Sequence, residues 1–307
     1  MKKIKFLILL LIPLLLSGCL NNDRMDDIDI YTTSYPIEYV TNRLYGEHSN
    51  IKSIYPDGIY NGYKVSDKLL KDYSEGDLFI FNGIMEYYEL DSEGNPILNN
   101  NVPSIASEKN YVTEMINDNH NLKIIDVSSS LDFDEDVNEL WLDPIKLLTI
   151  ANNIKKGFNE YINSTYLVKE INNNYQTLKE ELLKLDADYR EAANRGTFNT
   201  IVVSNDLFKY LTKYNINIIS IEENENLTQK NIHNVEELIE NGSIKYIYVL
   251  KGETPSETIN NLIADTDIQL LELNNLNNIS EEDRRNSKDY FTIMYDNLDK
   301  LKEELYK

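Results

Sequence analysis

The stretch NELWLDP at residues 138–144 carries the clearest chemical potential, because it holds the chain's single tryptophan between two carboxylates. Glu139 lies two residues before Trp141, and Asp143 lies two residues after it. A carboxylate beside a large ring can be a cation ligand in a pocket wall, or a solvated side chain next to a buried ring. Both interpretations of Glu139 stay open. Asp143 directly precedes Pro144, which favours a helix N-cap over a ligand.

Imidazole and thiolate groups are scarce in this chain. With three histidines and one cysteine, it can form neither an internal disulfide nor a cysteine-based zinc cluster. His48 and His120 precede predicted strands, whereas ligands of parallel α/β sheets bind at the opposite, carboxyl ends. His233 falls in the first turn of a predicted helix. We interpret all three histidines as solvated surface residues.

No motif of the sequence indicates an enzyme. Gly-rich phosphate loops and the patterns GxSxG and HExxH do not occur. Carboxylates are abundant, but the net charge of −22 makes their abundance uninformative about acid–base pairing. The same charge repels nucleic acid, so binding to DNA or RNA is not expected.

The N-terminus has the features of a bacterial secretion signal. A lysine-rich start precedes an apolar run from Phe6 to Leu16, which is short for a membrane span. The sequence LSGC that ends at Cys19 resembles a lipobox, in which the cysteine is lipidated. Residues 1–18 are therefore predicted to be a signal peptide and residues 19–27 a polar tether. Acyl chains on Cys19 anchor the mature chain to the outer face of the cell membrane; an uncleaved anchor helix is the alternative.

Strand and helix patterns alternate in two segments, residues 28–164 and 196–307. This alternation predicts an α/β protein with two lobes, each a doubly wound parallel sheet covered by helices. Between the segments, residues 165–195 carry apolar side chains at steps of three and four, which predicts one long, rigid linking helix. Residues 86–101 are polar and rich in turn formers, so we predict a loop there.

Two α/β lobes joined by a helix behind a lipobox resemble the solute-binding lipoproteins of ABC transporters. Local motifs narrow the resemblance to the zinc/manganese family. Four of these motifs are TTSYPIEYVTNRLYG, YPDGIYNGYKVSDKLLKDYSEGDLFIFNG, WLDPIKLLTIANNI and SNDLFKYLTKYN. The order and spacing of the motifs extend the resemblance over nearly the whole mature chain. The resemblance implies a monomeric extracytoplasmic receptor that binds a divalent cation between its lobes and works with an ABC permease and ATPase.

The histidine ligands usual in that family are missing at the matching positions of the first lobe. The Gly-rich turn of the second motif contains Tyr60 and Tyr63 but no imidazole. The family places a histidine two residues before the middle tryptophan, where this chain has Glu139. The resemblance therefore assigns Glu139 to a ligand position, and it places Tyr60, Tyr63 and Trp141 at the walls of the ligand cleft.

The second lobe also departs from the family's pattern. The family places a histidine or glutamate after the serine of the third motif, where Ser204 is followed by Asn205 and Asp206. Glu272 is the nearest match to the family's last acidic ligand. The ligand set implied by the resemblance, Glu139 with these three residues, thus consists of oxygen donors alone.

Three functional interpretations remain open. In the first, the chain is a receptor whose metal preference has shifted, because an all-oxygen ligand set suits Mn²⁺, Mg²⁺ or Ca²⁺ better than Zn²⁺. Alternatively, the aromatic residues wall a pocket for a small organic ligand or a chelate. A third possibility is a surface protein with an adhesin-like or scaffold role that binds no cation on the same fold.

Ordinary structural roles also fit the candidate ligands. Asn205 or Asp206 can cap the helix that begins at Leu207. Glu272 can lie on the outer side of a strand, and Trp141 can pack between the lobes without contacting a ligand.

Overall fold

The computed structural model describes residues 25–57, 63–82, 88–90, 96–98, 105–128 and 140–307, with residues 88–90, 96–98 and 105–109 described by their backbone alone. The predicted signal peptide and most of the tether lie outside these ranges. Cys19, Tyr60 and Glu139 also lie outside the described residues.

The N-terminal lobe is built on a four-stranded parallel sheet in the order β2-β1-β3-β6. All four residues of β3 are buried, as expected of a central strand covered on both faces. The elements are β1 (Ile28–Thr32), α1 (Tyr35–Tyr45), β2 (Ser49–Ser53), α2 (Asp67–Ser74), β3 (Leu78–Phe81), β4 (Tyr88–Leu90), β5 (Pro96–Leu98), α3 (Ile105–Asp118) and β6 (Lys123–Asp126).

The loop predicted at residues 86–101 is wrong in part, because two short strands lie within it. β4 and β5 pair antiparallel, with Tyr88 opposite Leu98 and Leu90 opposite Pro96. The turn-forming residues DSEGN at 91–95 separate two short runs, which is a hairpin signal. Because the whole stretch is polar, it was predicted as a loop and the hairpin signal was not recognised.

Two helices follow β6 in chain order, α4 (Pro144–Tyr161) and the long α5 (Thr165–Arg195). Asp143 caps α4, since its Oδ1 accepts the N–H of Ile145 at 2.8 Å. The predicted apolar stripe of α5 is buried and belongs to one apolar cluster that contains residues of both lobes. Among the residues that the structure describes, no helix has the length and apolar character needed to cross a membrane.

The C-terminal lobe repeats the arrangement, with a four-stranded parallel sheet in the order β10-β9-β7-β8. A 3₁₀ helix at Asp206–Tyr214 follows its first strand. The elements are β7 (Thr200–Val203), β8 (Asn217–Ser220), α6 (Gln229–Glu240), β9 (Tyr246–Leu250), α7 (Glu257–Ile263), β10 (Gln269–Leu273), α8 (Glu281–Arg285) and α9 (Tyr290–Leu305). The prediction of two doubly wound parallel-sheet lobes is confirmed.

Each sheet has a topological switch point beside its first strand. From β1 the chain crosses to β2 on one side and then to β3 on the other, and β7 is flanked by β8 and β9 in the same way. The N–H of Thr33 donates to Ile80 O at 3.3 Å, and the N–H of Ser204 donates to Tyr248 O at 2.8 Å. These bonds mark the carboxyl edges of the two switch points, where open α/β sheets bind ligands.

His48 ties the start of the described chain to the linking helix, which differs from the expectation of a solvated histidine. Its Nδ1 lies 3.0 Å from Asp26 Oδ1, and its Nε2 lies 3.0 Å from Glu170 Oε1 on α5. Burial lowers the pKa of His48, but the hydrogen bonds to Glu170 and Asp26 outweigh it and raise the pKa above its ordinary value. His120 and His233 are exposed, as expected.

We expect His48 to make stability depend on pH. Because its folded pKa is raised, protonated His48 stabilises the fold fully below the ordinary value of about 6.5, and this contribution is lost as pH rises through the folded pKa. The difference in free energy of unfolding between wild type and His48→Gln should therefore be larger at about pH 5.5 than at about pH 9. Urea unfolding at both pH values measures it, with the exposed His233→Gln as control. Equal differences at the two pH values would contradict this assignment.

Candidate functional site

The carboxyl-end loops of the two sheets meet at a junction between the lobes. The N–H of Tyr35, just after β1, donates to Asn277 O at 3.4 Å. Asn278 Nδ2 donates to Pro56 O, in the loop after β2, at 2.8 Å. Leu276, in the same loop after β10, is fully buried and has a φ of 58°. Such a backbone costs a non-glycine residue about 1–3 kcal/mol, and strain of this kind concentrates at functional sites.

Trp141 forms the centre of this junction. Its side chain is 1% exposed, and Nε1–H donates to Asn275 O in the loop after β10 at 2.8 Å. Its own carbonyl oxygen accepts the hydroxyl of Tyr290, at the start of α9, at 2.7 Å. The ring of Tyr290 in turn stacks on Tyr39 of α1, with centroids 5.8 Å apart. These contacts place Trp141 in interlobe packing, one of the two roles that the sequence left open, and its role as a wall of the ligand cleft stays a prediction.

Arg284 of α8 binds two carboxylates of the other lobe. Its Nη1 and Nη2 donate to the two oxygens of Glu38 at 2.9 and 3.2 Å. Nε and Nη2 donate to the two oxygens of Asp57 at 2.7 and 2.8 Å. The hydrogen bonds to Asp57 first, and those to Glu38, raise the pKa of Arg284 although burial opposes them. We call this trio the Arg284 clamp.

Lys213 makes a second charged link, between the linking helices and the C-terminal lobe. Its Nζ lies 2.5 Å from Asp143, the cap of α4, and 2.8 Å from Asp186 of α5. Asp186 also accepts the hydroxyl of Tyr214 at 2.9 Å. Burial raises the pKa of Asp186, but the bonds from Lys213 and Tyr214 outweigh it and hold the pKa below its ordinary value. The protein's own side chains therefore hold the two lobes together.

Four hydroxyl side chains at the switch points are buried without a partner. Thr32 and Thr33 are 0% exposed and Ser34 is 3% exposed, directly at the end of β1. Ser204 directly follows β7, and its Oγ is likewise inaccessible. Within the described part of the chain, none of these four oxygens makes a hydrogen bond. Sequence reasoning missed them, although all four lie at the carboxyl ends of two predicted strands, the edge where ligands bind.

Asn205 and Asp206 are already engaged within the C-terminal lobe. Asn205 caps the 3₁₀ helix, since its Oδ1 accepts Leu207 N–H at 2.9 Å. Asp206 pairs with Lys209 at 2.7 Å, and both line a cavity of about 210 Å³ beside β8 and α6. Burial raises the pKa of Asp206, but the hydrogen bonds from Lys209 and Ser220 outweigh it and lower the pKa.

Glu272 and Asp206 lie at different strands of the C-terminal sheet. Glu272 is exposed on β10, the edge strand, whereas Asp206 follows β7, and β9 lies between the two strands. Two strand spacings, about 10 Å, separate β10 from β7. Over residues 25–57, 63–82, 110–128 and 140–307, no group of three or more His, Cys, Asp or Glu side chains is placed to hold a metal ion.

Tyr63 packs against an apolar cluster of the N-terminal lobe that contains Tyr55. Its ring lies 6.1 Å from that of Tyr55 at nearly a right angle. The role of Tyr63 as a wall of the ligand cleft stays a prediction. Tyr60 and Glu139 lie outside the described residues, so their predicted roles stay predictions.

Two parallel-sheet lobes whose carboxyl-end loops meet across a junction are the architecture of a bilobal solute-binding receptor. Residues 30–304 match the model of the ZnuA family, described as zinc-uptake complex component A, periplasmic. The chain belongs to this family, which consists of substrate-binding receptors and not of enzymes. The predicted resemblance to zinc/manganese receptors and the predicted absence of enzyme activity are both confirmed.

Individual relatives are distant. The chain is 24% identical over 297 residues to the zinc-binding protein AdcA of Streptococcus pyogenes serotype M3, covering 90% of this chain and 55% of AdcA. It thus spans about half the length of the curated relatives it matches.

Solved structures show the same fold. The zinc-bound ZnuA-like domain of Streptococcus pneumoniae AdcA superposes with a TM-score of 0.70 at 19% identity, over 92% of this chain and 100% of that domain. The metal-dependent lipoprotein YcdH of Bacillus subtilis gives 0.73 at 19% identity, over 92% of this chain and 100% of YcdH.

We expect the Arg284 clamp to stabilise the closed arrangement of the lobes. Arg284→Ala leaves the buried carboxylate of Glu38 unpaired, which should cost about 1–3 kcal/mol. The loss stays below that of a fully buried pair because Arg284 is 43% exposed. Arg285 on the same helix pairs only with exposed Glu281 among the described residues, so Arg285→Ala should change stability by less than about 0.5 kcal/mol. Urea unfolding followed by Trp141 fluorescence measures both, and equal losses would refute the clamp.

Proposed function

We propose that this protein is the lipid-anchored, extracytoplasmic receptor of an ABC importer for a divalent cation. The observation that carries the proposal is the meeting of the two carboxyl-end loop sets, at Tyr35 with Asn277 and at Trp141 with Asn275. Open α/β sheets bind ligands at these edges, so a ligand there touches both lobes at once. Family membership adds support, since AdcA is described as zinc-binding.

In this proposal the cation is the cargo and the lobes respond to it. Ligand contacts to both lobes shift the population toward the closed arrangement, and α5 limits the change in angle between them. An ABC permease and its ATPase then recognise the closed form. The candidate ligand is Glu139, which lies two residues before Trp141 in the sequence.

A second candidate function is a surface protein with an adhesin-like or scaffold role. The observation that favours it is that Arg284 and Lys213 join the lobes through the protein's own charges. A protein held in this way needs no ligand to close. The two functions differ in one measurable respect, because only a receptor gains stability from its ligand.

We expect the full chain in detergent, stripped with chelator, to unfold at a higher temperature when one of Zn²⁺, Mn²⁺, Fe²⁺, Ca²⁺ or Mg²⁺ is added. Ligand at a hundred times its dissociation constant contributes about 2.7 kcal/mol, which shifts the midpoint by roughly 2 °C or more at this size. Glu139→Ala should abolish the shift. Glu281→Ala should keep it, because that exposed carboxylate pairs with Arg285 of its own helix and belongs to no predicted ligand set.

Two outcomes contradict these assignments. A shift retained in Glu139→Ala would remove Glu139 from the ligand set while leaving the receptor in place. No shift with any of the five cations would refute the cation receptor and favour the surface role.

Lipid anchoring is tested separately at Cys19. We expect the wild type to incorporate labelled fatty acid and to sediment with membranes, because acyl chains bind the bilayer firmly. Cys19→Ser should neither incorporate the labelled fatty acid nor sediment with membranes. Ser204→Ala is the control variant and should do both. Labelling of Cys19→Ser would show that the chain is anchored differently.

A further inference from the structure

Residues 25–27, the last residues of the predicted tether, are docked on the N-terminal lobe. We propose that Met25, Asp26 and Asp27 form a pH-sensitive latch, which protonated His48 closes and which sets how far the lobe can stand from the membrane. The inference goes beyond the cation receptor. It rests on the proposed function only for the lipid anchor at Cys19.

The latch is held partly by contacts that do not involve a charge. The side chain of Met25 is 2% exposed and belongs to the apolar cluster that contains residues of both lobes. The hydroxyl of Tyr45 donates to Met25 O. The N–H of Asp27 donates to His48 O at 2.8 Å. Burial of the methionine favours the closed latch, because opening would return its apolar surface to water.

Two features of the latch oppose closure. Asp27 has a φ of 59°, in the left-handed region that is strained for a residue with a side chain. The side chain of Asp26 is 59% exposed, so water competes for its bond to His48. The closed latch is therefore a balance of opposing contributions, and the loss of one contact is enough to open it.

His48 is the contact that depends on pH. Its Nδ1 and Nε2 each lie 3.0 Å from a carboxylate oxygen, of Asp26 and of Glu170. An ionised carboxylate only accepts hydrogen bonds, and a neutral imidazole has a single N–H. Both bonds can form together only when His48 is protonated. In the neutral ring, the nitrogen without a proton faces a carboxylate oxygen, and the two lone pairs repel each other.

Deprotonation should break the bond to Asp26 and keep the bond to Glu170. Glu170 lies on the rigid helix α5 and its side chain is 22% exposed, whereas Asp26 lies in the latch and is far more exposed. Burial lowers the pKa of His48, but its bonds to Glu170 and Asp26 outweigh burial and raise the pKa. The latch is therefore closed at acid pH and loosens as pH rises through that raised pKa.

The other groups around His48 do not titrate over the same range. The ring of Tyr45 packs on the imidazole with centroids 5.4 Å apart. The pKa of Tyr166 is raised by its hydrogen bond to Glu170, so this phenol stays neutral below pH 9. Glu47, next to His48 in the chain, remains ionised throughout. His48 is thus the group whose charge changes between about pH 6 and about pH 9.

Opening the latch changes the reach of the anchor. Five residues separate Cys19 from Met25, so a closed latch holds Met25 within about 20 Å of the lipidated residue. Eight residues separate Cys19 from Ile28, the start of β1, so an open latch extends this limit to about 30 Å.

The closed latch also orients the N-terminal lobe. All four strands of its parallel sheet begin at the edge where β1 follows the latch. That edge is held toward the bilayer, and the carboxyl-end loops at the junction lie on the opposite side of the sheet. An open latch gives the lobe more freedom to turn the junction toward a partner in the membrane.

Limited proteolysis measures the latch directly. Arg24 is the only lysine or arginine between Cys19 and Ile28, and trypsin can cut after it only when the buried Met25 has left its site. The full chain in detergent is treated with trypsin at about pH 6 and about pH 9, and mass spectrometry follows the Arg24–Met25 cut. Each rate is divided by that of a peptide of residues 20–28 at the same pH, which removes the protease's own pH dependence.

We expect the normalised rate of wild type to rise about tenfold from pH 6 to pH 9, because one hydrogen bond to a charged group is lost. His48→Gln should be cut fast at both pH values. Glu170→Gln should be cut slowly at both, because the neutral imidazole can then donate to Asp26 and accept from the new amide. Cleavage after Lys52, within β2, should stay slow throughout and shows that the lobe remains folded.

Glu191→Gln is the matched control. Glu191 is a carboxylate of the same helix α5, and it pairs with Arg195 at 2.7 Å. Its substitution should leave the tenfold pH response of the Arg24–Met25 cut unchanged.

The remaining outcomes separate the latch from the receptor. Fast cutting of wild type at both pH values would show that residues 25–27 are not docked, and slow cutting at both would overturn control by His48. A wild-type pH response that persists in His48→Gln would assign it to another group. All three leave the cation receptor standing, since its test is unfolding with added cations. Absence of fatty acid at Cys19 would overturn the role of the latch in membrane distance, whatever the cutting rates.

Discussion

The burial of one face of α5 is the constraint on which the rest of the structure depends. Its apolar side chains share a single cluster with strands and helices of both lobes, so neither lobe completes its core alone. A helix of 31 residues cannot bend easily while that stripe stays buried. The two sheets therefore keep nearly fixed places along it, and their carboxyl-end loops meet at Trp141.

Aromatic packing and charged pairs form the junction, and they contribute differently to its stability. Aromatic packing of Trp141 and Tyr290 removes apolar surface from water and fixes the distance between the lobes. Charged pairs such as Arg284 with Glu38 gain less than their geometry implies, because desolvation opposes the attraction. The hydroxyls of Thr32, Thr33, Ser34 and Ser204 find no partner among the described residues, which opposes this stabilisation.

Much of the architecture was readable in the residues. Alternating patterns predicted both sheets, the stripe of α5 predicted a buried helix, and Asp143 before Pro144 predicted a cap that the structure contains. These signals are local, since period, caps and turns act within a few residues. The candidate site was less predictable. Asp206 has a lysine partner three residues away, and Glu272 lies two strands from it, because a parallel sheet orders its strands independently of the sequence.

The sequence by itself determined the two α/β lobes, the long helix between them and the family to which the chain belongs. With one cysteine, it also excludes a cysteine-based zinc cluster. Only the tertiary structure decided which groups are paired. Arg284 meets Glu38 across 246 residues of sequence, and Trp141 meets Asn275 across 134. Partners so far apart in sequence produce no periodic pattern of residues in either segment. The unpaired hydroxyls at the switch points are likewise a property of the packed lobes, because a buried group is defined by everything that surrounds it.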